Sequence, residues 1–176
     1  MASVRAIAAA VMIVLAIARA AGAQDPGAQW QHVESVEGRF RVLMPRTPVV
    51  ATQAVPGGGH TIEAKLHVVD LGALAYLVTY ADLPHLGANA DGAVTGFAQT
   101  IGATVRTRYD TSAGELRGRG ARMDSDNGSL VHELRVFVFG RRLYQLVVTA
   151  ERDRVDARLA VDVDRFFGSF RMVPAP

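Results

Sequence analysis

The chain is 176 residues long, 49% hydrophobic and 20% charged, with 19 Lys+Arg, 17 Asp+Glu and no cysteine. Disulfides, thiol catalysis and cysteine-ligated metal sites are excluded outright. At this length a domain buries roughly 70% of its unfolded surface, so a core alone suffices to hold the fold.

Arg5, the apolar run from Ala6 to Ala18 and the small-x-small triplet Ala21-Gly22-Ala23 predict a signal peptide over residues 1–23, cleaved before Gln24. The run is shorter than the ~20 residues of a comfortable membrane span, and Arg19 interrupts its far end. No stable span is expected after cleavage, and no cysteine follows the cleavage point to carry a lipid. The address expected is outside the cytoplasm, periplasmic or extracellular. Arg5 and Arg19 leave with the signal, so the remainder carries 17 basic against 17 acidic residues. A neutral chain with no long basic run has no electrostatic footprint for nucleic acid.

Residues 24–37, with Pro26 and Gly27, read as a short polar leader, followed by a single domain over 38–173 and a tail at 174–176. Phe40, Val42 and Met44 alternate with Arg39 and Arg41, which predicts a strand that ends at Pro45 and Pro48. Val49 to Val55 is a weaker strand, closed by the turn Pro56-Gly57-Gly58-Gly59. From His60 to Asp70 the alternation resumes, with Ile62, Ala64, Leu66 and Val68 on one face. Leu74 to Tyr80, β-branched, aromatic and nearly uncharged, has the composition of a central strand covered on both faces.

After a loop containing Pro84, the spacing of Val94, Phe97, Ala98 and Ile101 becomes helical, with Gly102 placed to cap the C-terminus. Thr104 to Ser112 reads as a polar strand near an edge. Leu116 to Met123 follows, and Gly118 and Gly120 in it suggest a bulge or a close approach. Asp124-Ser125-Asp126-Asn127-Gly128 is a hairpin turn. The strands before and after Gly140-Arg141 form a second hairpin, from Leu130 to Ala150. Asp153 is expected to open a last helix, with Val155, Leu159, Val163, Phe166 and Phe167 on its buried stripe and Gly168 as cap. Ser169 to Val173 closes the domain as one more short strand. The order implies an α+β fold: a mainly antiparallel sheet of about six to eight strands with helices packed on its faces.

Motifs for chemistry are sparse. His60 and His67 are an odd number apart on one strand and point to opposite faces. His132 has no second histidine at helical spacing, and His32 and His85 fall in expected loops. No metal site is predicted, because the ligand spacings are missing. The Asp124–Gly128 segment fails as a calcium loop: its glycine comes one position early, and Arg135 stands where the closing Glu belongs. No serine sits in a Gly-x-Ser-x-Gly elbow, and Gly118-Arg119-Gly120 lacks the lysine and helix of a phosphate loop. Arg117 and Arg119 share a strand face that reads as solvated edge charge more readily than as an anion site. Tyr76, Tyr80 and Tyr144 occupy core positions. No catalytic, cofactor-binding or metal residue is assigned.

Several segments carry a family resemblance: Gly38-Arg39-Phe40 leading to Leu43-Met44-Pro45, the glycine-containing strand Leu116–Gly120, Arg142-Leu143-Tyr144-Gln145-Leu146, and Asp164-Arg165-Phe166-Phe167-Gly168-Ser169-Phe170-Arg171. They resemble a group of exported bacterial proteins that is similar to the PsbP-like fold. The resemblance implies an α/β/α sandwich with a central antiparallel sheet. It also implies an accessory or binding role, since members of that fold mostly act without catalysis. The expected function is therefore a non-enzymatic cell-envelope accessory protein whose partner is an envelope protein or a small ligand, with no cofactor. Two alternatives are carriage of a small apolar ligand between the sheet and the last helix, and hydrolysis at a dispersed site using His60, His67 or His132 with carboxylates.

Overall fold

The structure is a computed structural model and describes residues 29–57, 60–84 and 89–174. The expected signal peptide and His85 lie outside the described residues.

Seven strands form the main sheet: β3 (Val49–Gly57), β4 (His60–Asp70), β5 (Leu74–Asp82), β6 (Thr104–Ala113), β7 (Leu116–Ser125), β8 (Leu130–Phe139) and β9 (Arg142–Glu151). Their order is β3-β4-β5-β9-β8-β7-β6, and every neighbouring pair is antiparallel. Two hairpin ribbons thus meet at the β5–β9 seam, where the nearly uncharged sequences of both strands allow cover on both faces. β6, the polar strand, lies at an edge as its composition predicts. The irregularity expected at Gly118 and Gly120 sits instead across the ladder, as a register shift between Val105 and Thr107. The glycines mark close approach. A Cβ on Gly118 would lie 2.2 Å from the Val136 carbonyl oxygen, and one on Gly120 would lie 2.1 Å from the Tyr109 ring.

Helix α1 (Ala90–Thr100) covers one face, packing Val94 and Phe97 on Leu66, Leu77, Met123, Leu134 and Val147. Asn89 caps it through a bond from the Gly92 amide to its side chain. Gly102, at φ +63°, ends it in the left-handed turn that glycine makes without strain, and the Ala103 amide reaches the Ala98 carbonyl at 2.8 Å.

The other face is covered by helix α2 (Ala157–Ser169) and a three-stranded sheet of β1 (Gln31–Ser35), β2 (Phe40–Met44) and β10 (Arg171–Met172), in the order β1-β2-β10. Two expectations change here. Gln31–Ser35, read as the end of a polar leader, pairs with β2 in full register, so His32 is a strand residue. The last helix starts later than Asp153: Asp156 is its N-cap, accepting from the Leu159 amide at 2.7 Å, and Arg152–Arg154 form a separate 3₁₀ turn. Val155 accordingly lies off the helix and 53% exposed, and Gly168 falls inside the last turn, with Phe170 as C-cap.

An aromatic cluster joins these layers. Phe170 stacks between Phe40 and Phe137, with ring centroids 5.7 Å apart in both pairs, and Tyr76 meets Phe166 edge-on at 5.3 Å. The Tyr144 hydroxyl, buried under the small sheet, donates to the Gly38 carbonyl at 2.9 Å. Arg142 grips Asp82 with both arms, at 2.7 and 2.6 Å, and donates to the Glu37 carbonyl at 2.6 Å. The β1–β2 hairpin is thereby pinned to the end of β5 and β9. Gly38 is required for that contact, since any Cβ there would sit 2.7 Å from Phe40, Ser35 and Tyr80.

Candidate functional site at the turn end of the sheet

Antiparallel register brings together residues that are far apart in the chain. Met123 lies opposite His132, and His132 lies opposite Thr149. The side chains of His132 and Thr149 emerge on the α1 face, beside Ser125 at the end of β7. Ser125 Oγ is 2.7 Å from His132 Nε2, and His132 Nδ1 is 2.9 Å from Thr149 Oγ1. One imidazole is thus held at both nitrogens by hydroxyls. These three residues line a cleft of about 900 Å³ that also takes in Asp70, Ile101 and Leu130, with Glu151 and Asp153 on its rim.

The turns that shape the cleft have local causes. The Gly72 amide donates to Asp70 Oδ1 at 2.7 Å, with Gly72 at φ +83° between β4 and β5. Between β7 and β8, Asp126 and Asn127 both adopt positive φ, 51° and 54°, a conformation that short Asx side chains tolerate. Arg152 then ties the β9 end to this turn by donating to the Gly128 carbonyl at 2.5 Å. Asp124 sits between Arg152 and Arg106, 2.9 Å from each. The segment read against a calcium loop is therefore a hairpin turn whose first carboxylate is engaged by two guanidiniums.

His132 is 4% exposed, and its pKa is pushed down to about 4, chiefly by burial, with the Asp124 charge pulling the other way. It is neutral at ordinary pH. An imidazole this weakly basic is a poor general base, because catalytic bases work best with a pKa near the operating pH. The group on its far nitrogen is also a hydroxyl rather than a carboxylate, so nothing stabilises an imidazolium there as the triad Asp does. The chemistry of this arrangement is hydrogen bonding: whichever tautomer His132 adopts, the relay orients the half-buried Thr149 hydroxyl along the cleft wall.

The other singled-out residues do not join it. His67 is buried on the opposite face of the sheet, edge-on to Phe40 at 5.2 Å, and burial lowers its pKa. His60 begins β4, pairs with Gly57, and belongs to another strand from His132. His32 is exposed on β1. Arg119 binds Asp91 at 3.1 Å and also pairs with Asp110, while Arg117 stands exposed. Tyr76, Tyr80 and Tyr144 are core residues. No group of three or more His, Asp or Glu suited to a metal ion occurs among the described residues. Sequence reasoning missed Ser125 and Thr149 as partners of His132. They are 7 and 17 residues away from it, and only strand register makes them neighbours.

A second depression lies between α2 and the sheet, about 290 Å³ in volume. Its walls are Val131, Val148, Ala150, Leu159 and Val163, with Arg122, Glu133 and Asp156 at the rim.

No protein-family model matches the chain, and no curated protein is significantly similar to it in sequence. Its architecture does recur. The solution structure of cyanobacterial PsbP (CyanoP) from Synechocystis sp. PCC 6803 aligns with a TM-score of 0.59 at 13% identity, over 86% of this chain and 98% of that one. The crystal structure of PA94, a protein of unknown function from Pseudomonas aeruginosa, aligns at 0.45 and 11% identity, over 84% of this chain and 99% of that one. The chain has the PsbP-like fold, an antiparallel sheet covered on both faces. At 13% identity the likeness to CyanoP is one of fold alone. Among the described residues no helix is long and apolar enough to cross a membrane.

Proposed function

We propose that this protein is a non-enzymatic, exported accessory or binding protein of the cell envelope, and that it engages its partner through the cleft at the turn end of the sheet. One observation carries the reading: the buried histidine in the cleft wall is hydrogen-bonded at both ring nitrogens by hydroxyls. This arrangement favours fixed hydrogen-bond recognition over proton transfer. The cleft volume falls within the range of ligand sites, and its wall combines apolar floor residues with a few convergent polar groups. Residues 1–23 support export on the sequence grounds given above.

The test is cross-linked capture from native envelope extracts, using the parent and the variants Thr149→Val and Glu151→Arg. A discrete partner retained by the parent and lost by both variants is the expected result. A clean monomer from the parent extract would count against the proposal. So would ester hydrolysis that disappears in Ser125→Ala and His132→Asn.

A second reading, carriage of a small apolar ligand, is favoured by the depression beneath α2. Its aliphatic walls suit such a ligand, and its volume of about 290 Å³ limits the ligand to a small one. Displacement of an environment-sensitive apolar dye, abolished by Val148→Trp, is the expected behaviour. Failure of the parent to bind any such dye would remove this reading.

A further inference from the structure

Ion pairs engage many of the described arginines; Arg117, Arg154 and Arg158 have none among the described residues, and four more without one cluster in a single region. Arg106, Arg108, Arg119, Arg122, Arg135, Arg142, Arg152 and Arg165 each lie within 4.0 Å of a carboxylate. Arg39, Arg41, Arg141 and Arg171 form no ion pair among the described residues, and they gather at one end. Arg41 and Arg171 are cross-strand partners on β2 and β10, both exposed, on the side away from the buried Phe40. Arg39 is two residues before Arg41, and its guanidinium lies over the Phe139 ring at 5.7 Å. Arg141 occupies the turn that follows Phe139. Glu34 lies opposite Arg41, and Glu37 and Asp82 are already engaged by Lys65 and Arg142, so the region keeps an excess of positive charge.

Two more observations mark the same place. Val36 and Phe139, at the tips of two adjacent hairpins, are 66% and 47% exposed, two of the six exposed large apolar side chains described. Arg39 also holds φ +53°, a left-handed conformation that glycine or asparagine adopts with less strain than arginine. Strain of this kind persists where the side chain is needed. The far end of the molecule has the opposite character. β8 has ten residues from Leu130 to Phe139, which puts the Asp126, Glu151 and Asp153 carboxylates of the cleft end roughly 30 Å away.

We infer that the paired hairpin tips, Val36 and Phe139 ringed by Arg39, Arg41, Arg141 and Arg171, dock on the headgroup surface of a bilayer containing anionic lipid. Protruding apolar tips flanked by cations sit at headgroup level, the apolar groups entering the boundary and the guanidiniums meeting phosphates. The acidic far end turns away from such a surface, leaving the cleft open to solvent. Binding of this strength is reversible, since stable anchoring needs a second signal. The inference does not depend on the cleft being the partner site.

The test is co-sedimentation of the full chain, as recovered from the cells that produce it, with vesicles of phosphatidylcholine alone or with 30% phosphatidylglycerol. The expected result is binding that requires phosphatidylglycerol and weakens between 0.05 and 0.5 M salt as charges are screened. Each removed cation should lower it about fivefold, so Arg41→Gln with Arg141→Gln should lower it about 25-fold. Arg39→Gly separates surface from fold: it relieves the left-handed strain, so Tm holds or rises while vesicle binding falls. Equal binding to both vesicle types, no binding, or binding unchanged in these variants would overturn the inference. If the variants instead lose a protein captured from envelope extracts and bind no vesicles, the patch is a protein surface; the lipid assignment fails and the accessory reading stands. If vesicle binding is as expected and nothing is captured through the cleft, the reverse holds.

Discussion

At the scale of single residues, several positions are decided by contact rather than by propensity. Gly118 and Gly120 are extended-strand glycines that serve close approach, but they face different obstacles. The obstacle at Gly118 is the Val136 backbone carbonyl, and at Gly120 it is the Tyr109 ring. Tyr109 can swing if it gives up its 2.8 Å bond to Glu133; a ladder carbonyl cannot move without opening β7 from β8. Gly118→Ala is therefore expected to lower stability more than Gly120→Ala, which should cost about 1–3 kcal/mol. Tyr109→Ala should rescue much of the latter in a double-mutant cycle read by urea melts. Thr79 and Gln145 make the opposite case. They are cross-strand partners in the core under α1, each 1% exposed, and no described group hydrogen-bonds the Thr79 hydroxyl or the Gln145 carboxamide. Replacing both with apolar groups of similar shape, Thr79→Val with Gln145→Met, is expected to leave stability level or raise it by about 1–2 kcal/mol. A clear fall in Tm would show that the pair is satisfied in solution.

At the scale of elements, α2 is held more by two rings than by its length. Phe166 is 0% and Phe167 3% exposed. The first packs on Tyr76, and the second carries the Arg135 guanidinium 4.4 Å above its ring. Either change to Ala should cost about 3–5 kcal/mol in chemical denaturation, a large share of a typical domain's total. Phe167→Ala also strips the stacking surface from Arg135, whose Nε has no hydrogen-bond partner among the described residues, so its cost should fall at the upper end. The β1–β2 hairpin has the contrary logic: it is short, and its hold on the main sheet depends on Tyr144, Arg142 and the bare Gly38.

At the scale of the whole molecule, acid should loosen the fold in a predictable window. The folded state keeps His132 unprotonated down to about pH 4, whereas the same imidazole takes a proton near 6.5 when unfolded. The unfolded chain therefore binds more protons between those values, so stability falls as pH drops below about 6.5 and levels off below about 4. The drop attributable to this residue is at most roughly 3 kcal/mol. His67, also lowered by burial, acts in the same direction. His132→Asn should flatten the profile of Tm against pH over this range, and profiles of equal slope for parent and variant would contradict the assignment. The same scale governs the division of charge between acidic cleft and basic hairpin tips, which near-equal composition conceals.

Much of the architecture could be read from the sequence alone. The alternation of Phe40, Val42 and Met44, the helical spacing of Val94 and Phe97, the Asn127-Gly128 and Gly140-Arg141 turns and the paired phenylalanines of the last helix identified nearly every element and the antiparallel class. These signals depend on residues a few positions apart, where backbone geometry itself imposes the period. Sequence alone placed β1 in a leader because Gln31–Ser35 has little apolar patterning of its own; its pairing comes from β2 and from the docking of Gly38. It also started the last helix too early, at Asp153, because Asp153 and Asp156 are both competent caps and only the 3₁₀ turn across Arg152–Arg154 selects between them. The candidate site and the docking surface belonged wholly to tertiary structure. Strand order and register set Ser125, His132 and Thr149 side by side in the cleft wall. The packing of the small sheet against the β8–β9 hairpin left four arginines and two apolar tips on one exposed end. Local patterning dictates which segments become strands and helices, whereas the side chains that meet across them depend on long-range pairing that no short window of sequence encodes.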